Sequence, residues 1–119
     1  MYEIIFYEDK NGESEVADFI RKLQKSSTKN KTDRINYYKI IAYLDALGEM
    51  GTRVGEPVTK HLEGEIWELR PLQNRILYAY YKDNKFILLH HFLKKTRKTP
   101  RKEIEKAKNR LRDFIERNG

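Results

Sequence analysis

Arg70 and Arg75 stand five residues apart in otherwise apolar segments, and FLKKTRKTPRKEI (Phe92–Ile104) sets six basic and no acidic side chains between Lys94 and Lys102. Guanidinium forks match phosphate oxygens, and fixed positive charge stabilises the extra negative charge of a pentacoordinate phosphorus transition state. RNA cleavage asks for little else. The ribose 2′-OH is the nucleophile, so neither a metal nor a protein nucleophile is obligatory; a proton acceptor and a donor to the leaving oxygen complete the set. Glu68, a histidine, or a lysine whose cationic neighbours depress its pKa can serve as acceptor. The residue types leave that choice open.

Each candidate has a plainer reading. A basic run is commonly a solvated face, and from Arg101 onward solubility or general attraction to RNA is the simpler account. Arg70 and Arg75 can form structural ion pairs with Glu65 or Glu68. His90 and His91 are neighbours on a strand, face opposite ways and cannot share an ion; one packs near the core and the other can look into the basic site. No spaced His/Asp/Glu cluster suggests a metal, and none of the residue patterns calls for a cofactor. Tyr78, Tyr80 and Tyr81 read as packing within a strand, and Trp67 as core.

These side chains must be carried by something rigid. YEIIFY (Tyr2–Tyr7) reads as a strand ending at EDKNG. Ser14 is a candidate N-cap for a helix with Val16, Phe19, Ile20 and Leu23 on one side, which stops near KSSTKNK. Thr32 or Asp33 can cap a second helix striped by Tyr37, Ile40, Ile41, Leu44 and Leu47, ending at the glycines 48 and 51. GEIWELRPL, RILYAYYK and KFILLHHFLK then alternate with period two across short turns, which favours an antiparallel meander. Thr99 and Pro100 supply the cap and first position of a last helix carrying Ile104, Ala107, Leu111, Phe114 and Ile115.

The order β, α, α, β, β, β, α predicts one α+β domain over residues 1–119, with two early helices and a terminal helix on a mostly antiparallel sheet. Alternation sends Trp67 and Leu69 to one face and Ile66, Glu68 and Arg70 to the other. If the strands pair in sequence order, Arg70, Arg75 and Lys94 or Lys95 converge at one end of the sheet, with Lys98 nearby.

The chain has 119 residues and a net charge of +7. All of that excess lies from Lys94 onward, where 11 basic residues face 4 acidic ones; the preceding residues hold 14 of each. Such asymmetry points to an anionic partner, nucleic acid before an acidic membrane surface. There is no cysteine, which excludes disulfides, thiolate metal sites and a thiol nucleophile. The apolar runs are too short to span a membrane, and MYEIIFYEDK lacks the pattern of a signal peptide, so a cytoplasmic protein is expected.

Lys60 to Leu111 resembles the HigB-like, phage-derived branch of the RelE/ParE toxin superfamily. The likeness is carried by L-x-G-x-I-W-E-L-R (Leu62–Arg70), by Arg75, and by F-x-K-K-x-x-K-T-P-x-x-E-I-x-x-A (Phe92–Ala107). It implies a RelE-like fold and a toxin that cleaves mRNA inside the ribosome, leaving a 2′,3′-cyclic phosphate and a 5′-OH. It also implies a helix-turn-helix, HigA-like antitoxin, with operator DNA bound only through the toxin–antitoxin complex. Arg75 matches the catalytic arginine of RelE-type nucleases, Arg70 a second basic position of the site, and Lys95 the basic residues after the last strand. RelE carries lysines where this chain has Ile66 and Glu68, and its site tyrosine has no equivalent in TPRKEI, which leaves Glu68 or His91 as acceptor. Lys94, Lys95 and Lys98 would border the scissile phosphate, Arg97 would bind RNA or phosphate beside them, and Arg101, Lys102 and the helix beyond would hold ribosomal RNA or an acidic stretch of the antitoxin. The same superfamily includes ParE-like toxins that inhibit DNA gyrase without cutting RNA, and that is the alternative activity.

Overall fold

The computed structural model describes residues 1–119. Strand β1 (Glu3–Phe6) leads into helices α1 (Glu15–Ser26) and α2 (Lys31–Met50), and a short 3-10 turn at Gly51–Val54 enters β2 (Thr59–Glu63). Then come β3 (Ile66–Leu69), β4 (Asn74–Tyr81), β5 (Lys85–Leu93) and α3 (Arg101–Asn118). The sheet order is β1-β5-β4-β3-β2; β1 runs parallel to β5 and every other pair is antiparallel.

The expected α+β layout is what the chain adopts, with one strand more than the periodicity indicated. That strand, β2, is an edge strand of five residues with Lys60 and His61 exposed, so it lacks the apolar alternation of a half-buried strand. It reaches β3 through a turn in which Gly64 takes φ +53°.

Alternation along the strands builds two cores, one on each face. Leu69, Ile76, Tyr78, Phe86 and Leu88 pack under Val16 of α1 and Ile40 and Leu47 of α2. Ile66, Leu77, Ala79, Ile87 and Leu89 pack under Ala107 and Leu111 of α3. Trp67 and Leu69 therefore do lie on the face opposite Ile66 and Glu68, but Trp67 is only partly buried, against His61 at 5.0 Å between ring centroids. No helix is long and apolar enough to cross a membrane.

Caps fix where the helices begin. Ser14 accepts the Ala17 N–H at 3.1 Å, as its position suggests. Helix α2 starts earlier than its apolar stripe: Asn30, not Thr32 or Asp33, accepts the Asp33 N–H at 3.0 Å. Helix α3 has no side-chain cap, since Pro100 occupies the N-cap position and the Thr99 hydroxyl donates to Glu68 Oε2 at 2.5 Å. The residue expected to cap α3 is thereby bound to a carboxylate on β3.

A candidate phosphate-binding cleft

Strand β3 ends at Leu69, the chain turns through Pro71–Asn74, and β4 returns with Arg75 near its start. Leu69 pairs with Ile76, so continuing the register brings Arg70 beside Arg75 on the α3 face. In the turn, Leu72 sits at φ +59°, an uncommon conformation for leucine. It aims the Leu72 carbonyl at Arg75, whose Nη1 donates to Leu72 O and to Asn74 O, both at 2.8 Å. The Arg75 guanidinium is thus clamped by backbone and 8% exposed.

Glu68 lies between the arginines. Its Oε1 is 3.4 Å from Arg70 Nε and 3.9 Å from Arg75 Nε, its Oε2 accepts from Thr99, and the residue is 1% exposed. Burial pulls Arg75 below the ordinary arginine pKa, Glu68 opposes that fall and Arg70 adds to it. One buried anion holding two guanidiniums leaves a net positive wall.

The chain leaving β5 closes the other side. Phe92 pairs with Arg75, and the Lys94 N–H donates to Gln73 O at 2.8 Å, which ties the basic segment to the Pro71–Asn74 turn. The result is a cleft of about 390 Å³ lined by seven basic residues, among them Arg70, Arg75, Lys94, Lys95 and Lys98, and by two carboxylates, Glu68 and Glu103. Arg97 and Lys102 complete the cations. Lys94, Lys95, Arg97, Lys98 and Lys102 make no ion pair within the chain. Arg70, Arg97 and Lys98 also border a groove running on along β2 past Lys60 and His61.

Eight of the ten residues singled out from the sequence, all but His91 and Arg101, share this cleft. His91 lies on the opposite face: its ring stacks on Phe19 at 3.6 Å between centroids, and its Nε2 is 3.1 Å from Asn74 Oδ1. Burial pulls its pKa down to about 4, with Glu15 opposing and His90 adding. His91 therefore cannot be the acceptor in the cleft. Arg101 faces outward, with Nη1 and Nη2 on the two Glu63 oxygens at 2.8 and 2.6 Å and Nη1 on Glu105 at 2.9 Å. Those bonds hold its pKa above the ordinary value.

The sequence assigned no site role to Thr99 or Glu103, and of the two histidines it is His90, not His91, that lies on the cleft side. Thr99 and Glu103 line the cleft, and His90 lies directly behind Glu103. The sequence signal was the T-P-x-x-E spacing, which reads as helix punctuation. Metal ligation has no obvious seat: His90 turns its two nitrogens to two different carboxylates, and no group of His, Asp and Glu side chains converges as ion ligands would.

The family model for phage derived protein Gp49-like (DUF891) matches residues 18–112, nearly the whole span from α1 to α3. The chain belongs to this family, which is associated with RelE/HigB-type toxins. Membership is consistent with a toxin of a toxin–antitoxin system. No curated protein matches the chain.

Proposed function

We propose that this protein is the toxin of a type II toxin–antitoxin pair and that it cleaves mRNA on the ribosome. The observation that carries the reading is the pair Arg70 and Arg75, brought from two strands to one face around Glu68 and opposed across the cleft by unpaired lysines. A wall of fixed guanidiniums facing unpaired ammonium groups suits a dianionic phosphorane better than a neutral ligand.

In this reading Arg75, clamped by the Leu72 and Asn74 carbonyls, presents its remaining N–H groups to a non-bridging phosphate oxygen. Arg70, more exposed at 24%, holds the second oxygen or the adjoining phosphate. Lys95 and Lys98 stabilise the leaving 5′-oxygen and protonate it. The 2′-OH attacks phosphorus in line, giving a 2′,3′-cyclic phosphate and a 5′-OH. The cations do the charge work, so the reaction needs no metal. Glu68, with one oxygen bonded to Thr99 and the other held by arginines, serves to align the guanidiniums.

The basic groove beyond the cleft would follow ribosomal RNA. The cognate partner would be a HigA-like, helix-turn-helix antitoxin, which alone would bring operator DNA into the complex; the site of action is the cytoplasm. Incubation of purified protein with translating ribosomes tests this: cleavage within the A-site codon, ending in a cyclic phosphate, is the expected product. Intact message together with inhibited DNA gyrase would replace the nuclease with a ParE-like toxin.

A further inference from the structure

Glu103 is a cleft carboxylate to which the reaction above assigns no work. It is the third residue of α3, the place from which a glutamate normally reaches back to the N-cap N–H. Here the N-cap is Pro100, which has no N–H, so that bond cannot form. The carboxylate turns instead to His90: Oε1 lies 2.7 Å from Nε2. On the other side of the ring, Nδ1 is 2.7 Å from Glu15 Oε1, which also accepts from Arg110 Nη1 at 2.8 Å. The ring is thus held between two carboxylates, one at each nitrogen.

The assembly is built to hold one group still. His90 is 3% exposed, stacked on Phe92 at 5.7 Å between centroids, and braced by Glu15 from α1 and Arg110 from α3. Glu103 is 17% exposed, borders the cleft with Arg70 and Arg75, and has no protein donor on Oε2. One oxygen is fixed and the other is available. Glu68 differs in being 1% exposed and engaged on both oxygens.

Resting on the nuclease reading, we infer that Glu103 is the catalytic proton acceptor for an RNA substrate and that His90 is the positioning residue that orients it. The step balances. The O2′–H proton passes to Glu103 Oε2 as the O2′ lone pair forms the new bond to phosphorus. The P–O5′ bond breaks with its electron pair on O5′, which takes a proton from the ammonium of Lys95 or Lys98. The proton on Glu103 then returns to that amine through solvent, leaving the protein unchanged.

Single-turnover cleavage of message on translating ribosomes, followed against pH, tests the inference. Removing a general base slows such a step by roughly 10²- to 10⁴-fold, and this loss is expected for Glu103→Gln, together with loss of the acidic limb of the rate–pH profile. His90→Gln is expected to slow the wild type about tenfold yet leave the Glu103→Gln variant no slower, because a residue acting only through Glu103 has nothing left to position. Glu103→Gln is nearly isosteric and decides alone should the buried His90 variant fail to fold. Wild-type rate and profile in Glu103→Gln, or equal slowing by His90→Gln in both backgrounds, would overturn the inference while the nuclease reading stands. No cleavage by the wild type would overturn both.

Discussion

Arg70 and Arg75 meet at one oxygen: the Nε of the first is 3.4 Å and the Nε of the second 3.9 Å from Glu68 Oε1. Two guanidiniums this close repel, and a buried anion between them offsets that repulsion. Glu68 is therefore what allows the pair to exist before substrate arrives. A phosphate entering the cleft meets donors already aligned, which is the condition for electrostatic catalysis.

Replacing that anion should be felt first in stability. Glu68→Gln leaves the buried Arg75 without a counter-ion and Arg70 with only the exposed Glu56 at 3.9 Å, a change of the kind that costs about 3 kcal/mol. Urea unfolding at neutral pH should show a lower midpoint with an unchanged slope. A midpoint equal to the wild type would mean that the arginines are stabilised elsewhere.

Charge alone at position 75 should not suffice. Arg75 spans two backbone carbonyls with Nη1, faces Glu68 with Nε and keeps Nη2 without a hydrogen bond, which one ammonium cannot reproduce. Arg75→Ala should reduce cleavage by roughly 10²- to 10³-fold, and Arg75→Lys should recover only a small part of it. Single-turnover rates on ribosome-bound message decide this.

The basic run should divide functionally at Arg101. Lys95 is unpaired in the cleft, whereas Arg101 is bound to Glu63 and Glu105. Lys95→Ala should weaken RNA binding and reduce the log–log salt slope by roughly 0.7 to 1, as expected for one lost phosphate contact. Arg101→Ala should leave the slope unchanged. Equal effects of the two substitutions would show that the run acts as an undifferentiated basic surface.

Stability should fall as pH falls, in two stages. His91 has its pKa lowered by burial from 6.5 to about 4, so between those values the unfolded chain binds more protons and stability is lost as pH drops through the window. The limiting slope is on the order of 1 kcal/mol per pH unit. Glu15 extends the loss: burial raises its pKa, but His90 and Arg110 hold it down at about 2 against an ordinary 4.5. Its contribution is present above 4.5 and disappears toward 2, weakened by its 40% exposure. Thermal melts from pH 7 to 4 should flatten in His91→Gln, and that variant should still cleave RNA, since His91 lies on the far face.

The arginine pair was legible because period-two alternation is a local property: a strand carrying Glu68 and Arg70 on one face keeps them there. His91 was not, because β5 contains a bulge. Leu77 pairs with His90 and Tyr78 with Leu88, so Leu89 has no partner and the alternation slips by one. Strict alternation sends His91 to the side of Leu89; the slip gives that side to His90 and turns His91 toward Phe19. Nothing in LLHHF announces the extra residue. The cap of α3 failed for a related reason: Thr99 has a choice between a helix N–H and the Glu68 carboxylate, and only tertiary placement decides it. Edge strand β2 escaped notice because Lys60 and His61 face solvent and remove the apolar signal. Convergence of the cations followed from sheet order, whereas the His90–Glu103 support depends on how α3 folds back.

The most direct test of the account is mapping of RNA 5′ ends across the transcriptome after induction of the wild type and of Arg75→Ala. New 5′-hydroxyl ends within translated codons are expected for the wild type, and their disappearance in the variant. Toxicity without new RNA ends, undiminished by Arg75→Ala, would contradict it.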